Sequence, residues 1–147
     1  MKAIIQRCLS ARVEVEGKIV GEINRGLVVF LGVAAGDDEK VAARLARKIT
    51  ALRIFDDENG RFDLAANMVG GEVLVVSNFT VCGDASKGGR PNFSKAAPPA
   101  EANRLYQRFV TLVQEQNITV QTGVFGASMQ VIVVNDGPVS LVLEIEP

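Results

Sequence analysis

Only two stretches of this chain repeat their apolar residues at helical spacing; turn residues cut most of the rest into apolar runs of strand length. In the first, Val41, Leu45, Ile49 and Leu52 share one face, while Lys40, Arg44, Arg47 and Lys48 lie largely elsewhere. Asp37 or Asp38 opens it, since either carboxylate can accept hydrogen bonds from the free amides of a first turn. In the second, Ala102, Leu105, Phe109, Leu112 and Val113 form the apolar face behind Pro98 and Pro99. Strands are expected over Met1 to Ser10, Arg12 to Glu16, Ile19 to Ile23, Leu27 to Val33, Glu72 to Phe79, Ile118 to Thr122, Met129 to Val134 and Val139 to Ile145. Asn59-Gly60 is read as a turn between short strands near Ile54-Phe55 and Phe62. Asn135-Asp136-Gly137-Pro138 is read as a hairpin turn joining the last two strands. The expected class is α+β: a curved, largely antiparallel, barrel-like sheet with two main helices packed on it.

With 147 residues, 48% of them hydrophobic, one continuous core suffices, and residues 1–147 are expected to form a single domain. No run reaches the roughly 18 apolar residues of a membrane-spanning helix. The opening Met1-Lys2-Ala3-Ile4-Ile5-Gln6-Arg7 lacks the long apolar segment of a secretory signal, so a cytosolic protein is expected. Cys8 and Cys82 form no C-x-x-C pair and no zinc spacing. The absence of histidine constrains the chemistry more, because it removes the usual general base for a Ser or Cys nucleophile and the commonest ligand of a catalytic metal. Neither metal nor cofactor is expected; any chemistry falls to backbone amides, hydroxyls, carboxylates, Lys, Arg or the substrate itself. A net charge of −1 argues against coating nucleic acid by bulk electrostatics but leaves a local basic patch open.

Three segments can carry chemistry, and each has a plainer reading beside it. Ser77-Asn78-Phe79-Thr80 closes an apolar strand, where hydroxyls and amides can be held rigidly or can merely satisfy the local backbone. Lys87-Gly88-Gly89-Arg90-Pro91-Asn92-Phe93, followed by Lys95, combines charge, close backbone approach and a stacking face, yet a solvated loop has the same composition. Asn135 to Pro138 is explained by a turn alone. Singly, none of them specifies a reaction.

In this order and combination, the three segments resemble the D-aminoacyl-tRNA deacylase family. The likeness extends through Ile5-Gln6-Arg7, Arg53-Ile54-Phe55, the strand Val73 to Phe79, Arg90-Pro91 with Phe93, Thr122-Gly123 with Phe125, and Met129 through Val139. It implies hydrolysis of the ester between a D-amino acid, or mischarged glycine, and the 3′-terminal adenosine of tRNA, by a homodimer with cross-subunit active sites. By the same resemblance, Ser77, Phe79 and Thr80 line the catalytic pocket, with Asn78, Lys87, Arg90, Pro91, Phe93 and Met129 as substrate-binding residues. Gly137 and Pro138, joined by a cis peptide, are the implied filter against L-amino acids. The chain departs from the family pattern at Asn78 (usually Gln), Asn92 (commonly Ser) and Ser140 (usually Thr).

Without histidine, the preferred mechanism is substrate-assisted: the terminal 2′-hydroxyl orients water or assists proton transfer, and amides near Phe79-Thr80 receive the oxyanion. A covalent Thr80 nucleophile is the rival, with Lys87 the only base on offer. Three other functions compete: a non-catalytic module for the tRNA acceptor end, an interaction protein in which Gly137-Pro138 is an ordinary turn, and a proofreading paralogue with relaxed chirality.

Overall fold

The computed structural model describes all residues from Met1 to Pro147. Strand β1 (Lys2–Val15) organises the sheet. Its first half pairs antiparallel with β3 (Gly26–Gly32) and its second half with β2 (Lys18–Ile23), while β8 (Gln130–Glu144) runs antiparallel along both halves. Next to β3 lie β6 (Glu72–Ser77) and then β7 (Val120–Thr122), both parallel. The sheet is therefore mixed, with its antiparallel pairs around β1 and a parallel edge. A two-stranded ribbon of β4 (Phe55–Asp56) and β5 (Phe62–Leu64) stands apart from it.

The edges nearly meet. A Cβ on Gly21 of β2 would lie 2.3 Å from the Thr122 carbonyl oxygen of β7, so this approach admits only glycine. Gly21→Ala must push β2 from β7, and overpacking of this kind costs about 1–3 kcal/mol. We expect a correspondingly lower midpoint in urea; an unchanged midpoint would show that the sheet does not close there.

Curling gives the sheet two buried faces. On β3, Leu27, Val29 and Leu31 face the core under the helices, whereas Val28 faces the barrel interior with Cys8, Val13, Leu74 and Val76. Double-sided burial explains why β3 and β6 read as continuous apolar runs rather than alternating ones. Helix α1 (Glu39–Thr50) is capped by Asp38, whose carboxylate accepts from Val41 N at 2.8 Å, and buries Val41, Leu45 and Ile49. It ends two residues short of Leu52, which packs on the core from beyond the cap. Helix α2 (Pro99–Gln114) starts on the proline ring itself, where a missing amide costs nothing. Its buried face includes Tyr106 as well as Leu105, Phe109 and Val113.

Two expectations are corrected. Met1 to Ser10 and Arg12 to Glu16 are one strand, β1, not two. Asn135-Asp136-Gly137-Pro138 is not a hairpin turn, because the residues on both sides of it belong to β8 and pair with the same strand, so the chain does not reverse. Gln6 pairs with Ser140 and Cys8 with Asn135, which leaves Asp136 to Val139 facing Arg7 alone. The Asn135 amide spans this bulge, donating to Arg7 O at 3.0 Å and to Val139 O at 2.9 Å.

Candidate active site

Parallel β3 and β6 end side by side, and beyond their carboxyl ends the chain leaves a cleft of about 590 Å³. Crevices at the carboxyl ends of parallel strands are common ligand sites, because the connecting segments diverge there. One wall is Phe30, Leu31 and Val33 at the end of β3; a second is Val76 and Ser77 of β6, followed by Asn78 and Phe79. Ala96, Ala97 and the first turns of α2, through Tyr106, form a third, and Phe125 to Val131 closes the remaining side.

The strand expected to reach Phe79 stops at Ser77, and Phe79–Cys82 forms a single 3-10 turn. The turn is tied to β3 by Asn78 N donating to Leu31 O at 2.8 Å. Phe79 and Thr80 open it, so their amides have no carbonyl of the turn to reach, and no side chain caps them. The Asn78 carboxamide oxygen instead accepts the Thr80 hydroxyl. The turn therefore begins with two amides that it does not itself satisfy, and its first residue, Phe79, lines the cleft.

The predicted residues separate in space. Ser77, Asn78, Phe79 and Met129 line the cleft, with Thr80 immediately beyond. Phe93 packs edge-on against Phe79, with ring centroids 5.2 Å apart and planes at 72°, which leaves an exposed aromatic pair at the mouth. Lys87, Arg90 and Pro91 do not line it. They occupy the exposed tip of a loop whose neck is closed by Asp84 N donating to Asn92 O and Asn92 N donating to Asp84 O, both at 2.8 Å. Hydrogen bonds from Ser86, side chain then backbone, hold the Asp84 carboxyl below its ordinary range and stiffen that neck.

Gly137 and Pro138 are also absent from the walls and lie exposed on the bulge of β8, joined by a cis peptide bond. Gly137 has φ +124°, and a Cβ there would meet Val139 Cγ2 at 2.8 Å. The bulge is fastened by Arg7, which the sequence reading named only within Ile5-Gln6-Arg7 and gave no role. Its buried guanidinium donates through Nε to Asp136 O at 3.2 Å and lies 3.1 Å from Asp136 Oδ2. Nη1 donates to Ile54 O at 2.8 Å, and the guanidinium lies 5.3 Å from the Phe62 ring centroid. The available signal was an arginine in line with buried Ala3 and Ile5 on one strand face.

Electrostatically the cleft is neutral. No Asp, Glu, Lys or Arg lines it. The one ionisable wall residue is Tyr106, which donates to Val75 O at 2.9 Å; burial, opposed by a hydrogen bond with Thr122, pushes its phenol up to about 12. Burial also raises the thiol of Cys82, the last residue of the turn. No side chain on these walls carries a formal charge at neutral pH. What remains is shape, apolar surface and main-chain donors.

Fold and site together define an α+β protein with a nearly closed, mixed barrel-like sheet and a neutral cleft at its parallel edge. A protein of Desulfatibacillum aliphaticivorans described as D-aminoacyl-tRNA deacylase is 54% identical over 144 residues, covering 98% of this chain and 99% of that one. Among solved structures, one titled c-Myc DNA Unwinding Element Binding Protein superposes with TM-score 0.94 at 36% identity, over 100% of both chains. Another, of a probable eukaryotic D-amino acid tRNA deacylase, superposes with TM-score 0.84 over 98% of each chain; at 16% identity it supports the fold alone. The family model described as D-Tyr-tRNA(Tyr) deacylase matches residues 4–144, and the chain belongs to that family.

Proposed function

We propose that this enzyme hydrolyses the ester joining a D-amino acid, or mischarged glycine, to the 3′-terminal adenosine of tRNA, and that it spares L-aminoacyl-tRNA. The observation that carries this reading is the neutral cleft lined by Ser77, Asn78 and Phe79, where an uncapped turn begins, in a chain of the deacylase family. An aminoacyl ester is already activated, so positioning and oxyanion stabilisation suffice without a strong nucleophile. In this account the acyl group enters between Ser77 and Met129, the Phe79 and Thr80 amides receive the oxyanion, and the terminal base stacks at Phe79 and Phe93. The substrate's 2′-hydroxyl supplies the proton chemistry that the walls lack. Asn78, Lys87, Arg90 and Pro91 bind the tRNA end around the mouth. We assign the reaction to the cytosol, where aminoacyl-tRNA is used.

Chiral selection falls to Gly137-Pro138 of a second copy, inserted at the mouth of the first. Support comes from the exposure of this pair on a bulge fastened by Arg7 and Asn135. A glycine has no Cβ, so its carbonyl can approach the substrate α-carbon closely. A D side chain then points away from that backbone, whereas an L side chain runs into it, whatever its chemistry. Each about 1.4 kcal/mol of clash gives tenfold rejection.

Two results test this site. Thr80→Ala removes the hydroxyl that meets Asn78 but keeps the backbone amide, so turnover should fall by no more than about tenfold, the scale of one ordinary hydrogen bond. An acyl-enzyme trapped on Thr80 would instead establish a covalent route. Deacylation should also persist in a strong chelator, since the chain has no histidine, the commonest catalytic metal ligand, and no carboxylate lines the cleft. Activity that vanished with chelator and returned with one metal ion would overturn the mechanism.

A further inference from the structure

The proposed chemistry uses the cleft and its mouth, yet the protein keeps a second concentration of charge elsewhere. Lys40, Arg44, Arg47 and Lys48 are all exposed on α1. At about 100° per residue they fall within a single stripe, opposite the face that buries Val41, Leu45 and Ile49. None of the four is in an ion pair, whereas Arg7, Arg12, Arg53, Arg104 and Arg108 all are. The helix's one acid, Glu39, turns aside to Arg104 at 2.7 Å and Arg108 at 3.8 Å on α2, so nothing on α1 offsets the stripe. Of the stripe's residues, Arg44 alone makes a hydrogen bond, to Glu146 O at 3.0 Å.

The segment that leads into α1 is tied to the rim of the site. Ala35 N, just ahead of α1, donates to Lys95 O at 2.9 Å, and Ala34 bridges to Ala96 on the cleft wall. From that rim the 12 residues of α1 extend about 18 Å. Lys87, Arg90 and Lys95, also without ion pairs, lie on the loop that Lys95 ties to the segment ahead of α1, with the acids Asp38 and Glu39 between that segment and the stripe. The α1 segment contains no aromatic residue and offers no stacking face, unlike the Phe79–Phe93 pair. Charge without stacking suits a duplex, whose bases are already stacked and whose phosphates face outward.

We infer that the exposed face of α1 carries the phosphate backbone of the double-stranded acceptor stem of the tRNA whose 3′ end lies in the cleft. The inference rests on the proposed reading only for where that end enters. The stripe would then measure the substrate's duplex and favour full-length tRNA over a short aminoacyl fragment.

The test is the triple variant Lys40→Gln, Arg47→Gln, Lys48→Gln, which spares Arg44 and its hydrogen bond. Binding of uncharged tRNA and of a CCA trinucleotide is titrated against salt, alongside turnover of D-aminoacyl-tRNA and of a D-aminoacyl-adenosine. We expect tRNA affinity to fall about tenfold or more, with its salt slope smaller by about 2–3. Trinucleotide binding and aminoacyl-adenosine turnover should stay at the parent level. Unchanged tRNA affinity and slope, or an equal loss on the short ligands, would overturn the inference. If the parent protein hydrolysed neither substrate, the catalytic reading would fall, while the binding titrations would still decide the stripe.

Discussion

Gly137→Ala should lower kcat/KM for a D-aminoacyl-tRNA by about a hundredfold, the scale on which a displacement of about 1 Å acts at a reacting centre. The cause is local. Residue 137 has φ +124°, and a Cβ there meets Val139 Cγ2 at 2.8 Å, Val139 N at 3.1 Å and Arg7 Nη2 at 3.3 Å. Backbone and the Arg7 clamp must give way together, which moves the carbonyl proposed to face the substrate. Strain at such a position is about 1–3 kcal/mol, enough to lower Tm by several degrees but not to unfold a chain of this size. Single-turnover deacylation, with circular dichroism as the folding control, checks this. Parent-level turnover by the folded variant would remove Gly137 from the site.

The second large effect concerns the substrate. If the terminal 2′-hydroxyl supplies the proton transfer, a D-aminoacyl-tRNA ending in 2′-deoxyadenosine should react about 10²–10⁴ times more slowly, the usual worth of a positioned acid or base. Its binding should change far less, because the apolar walls and the Phe79–Phe93 pair proposed to hold the acyl group and the base are untouched. The expectation follows from a cleft whose only ionisable wall group, Tyr106, titrates near 12. Equal turnover of ribo and deoxy substrates would return the chemistry to the protein, with the Thr80 hydroxyl first in line.

Much of the local structure was legible because it depends on neighbours in sequence. Asp38 caps α1 where an acid precedes an apolar stripe, and Pro99 opens α2 where a proline is tolerated. Partnering was not legible in the same way. Residues 135–138 have turn composition, yet β1 lies beside both flanking halves and holds them in line, so a would-be hairpin becomes a bulge. Nor does side-chain periodicity report strand direction, and the parallel order of β3, β6 and β7 emerges only in the fold.

At the site, Ser77 to Thr80 stood out through their order with the other segments, not through their own chemistry. Phe30, Ala96 and Tyr106 come from distant elements and could not be grouped before the strands were paired. Arg7 was hidden for the opposite reason. An arginine on a strand is ordinarily solvated, and only its contacts with Asp136, Ile54 and Phe62 show it to be the clamp of the bulge.

The most direct test of the central claim is to present the purified protein with one tRNA charged with either enantiomer of the same amino acid and to follow ester hydrolysis. The account predicts rapid loss of the D-aminoacyl ester, with the L-aminoacyl ester decaying no faster than in buffer. Comparable hydrolysis of both enantiomers, or of neither, would contradict it.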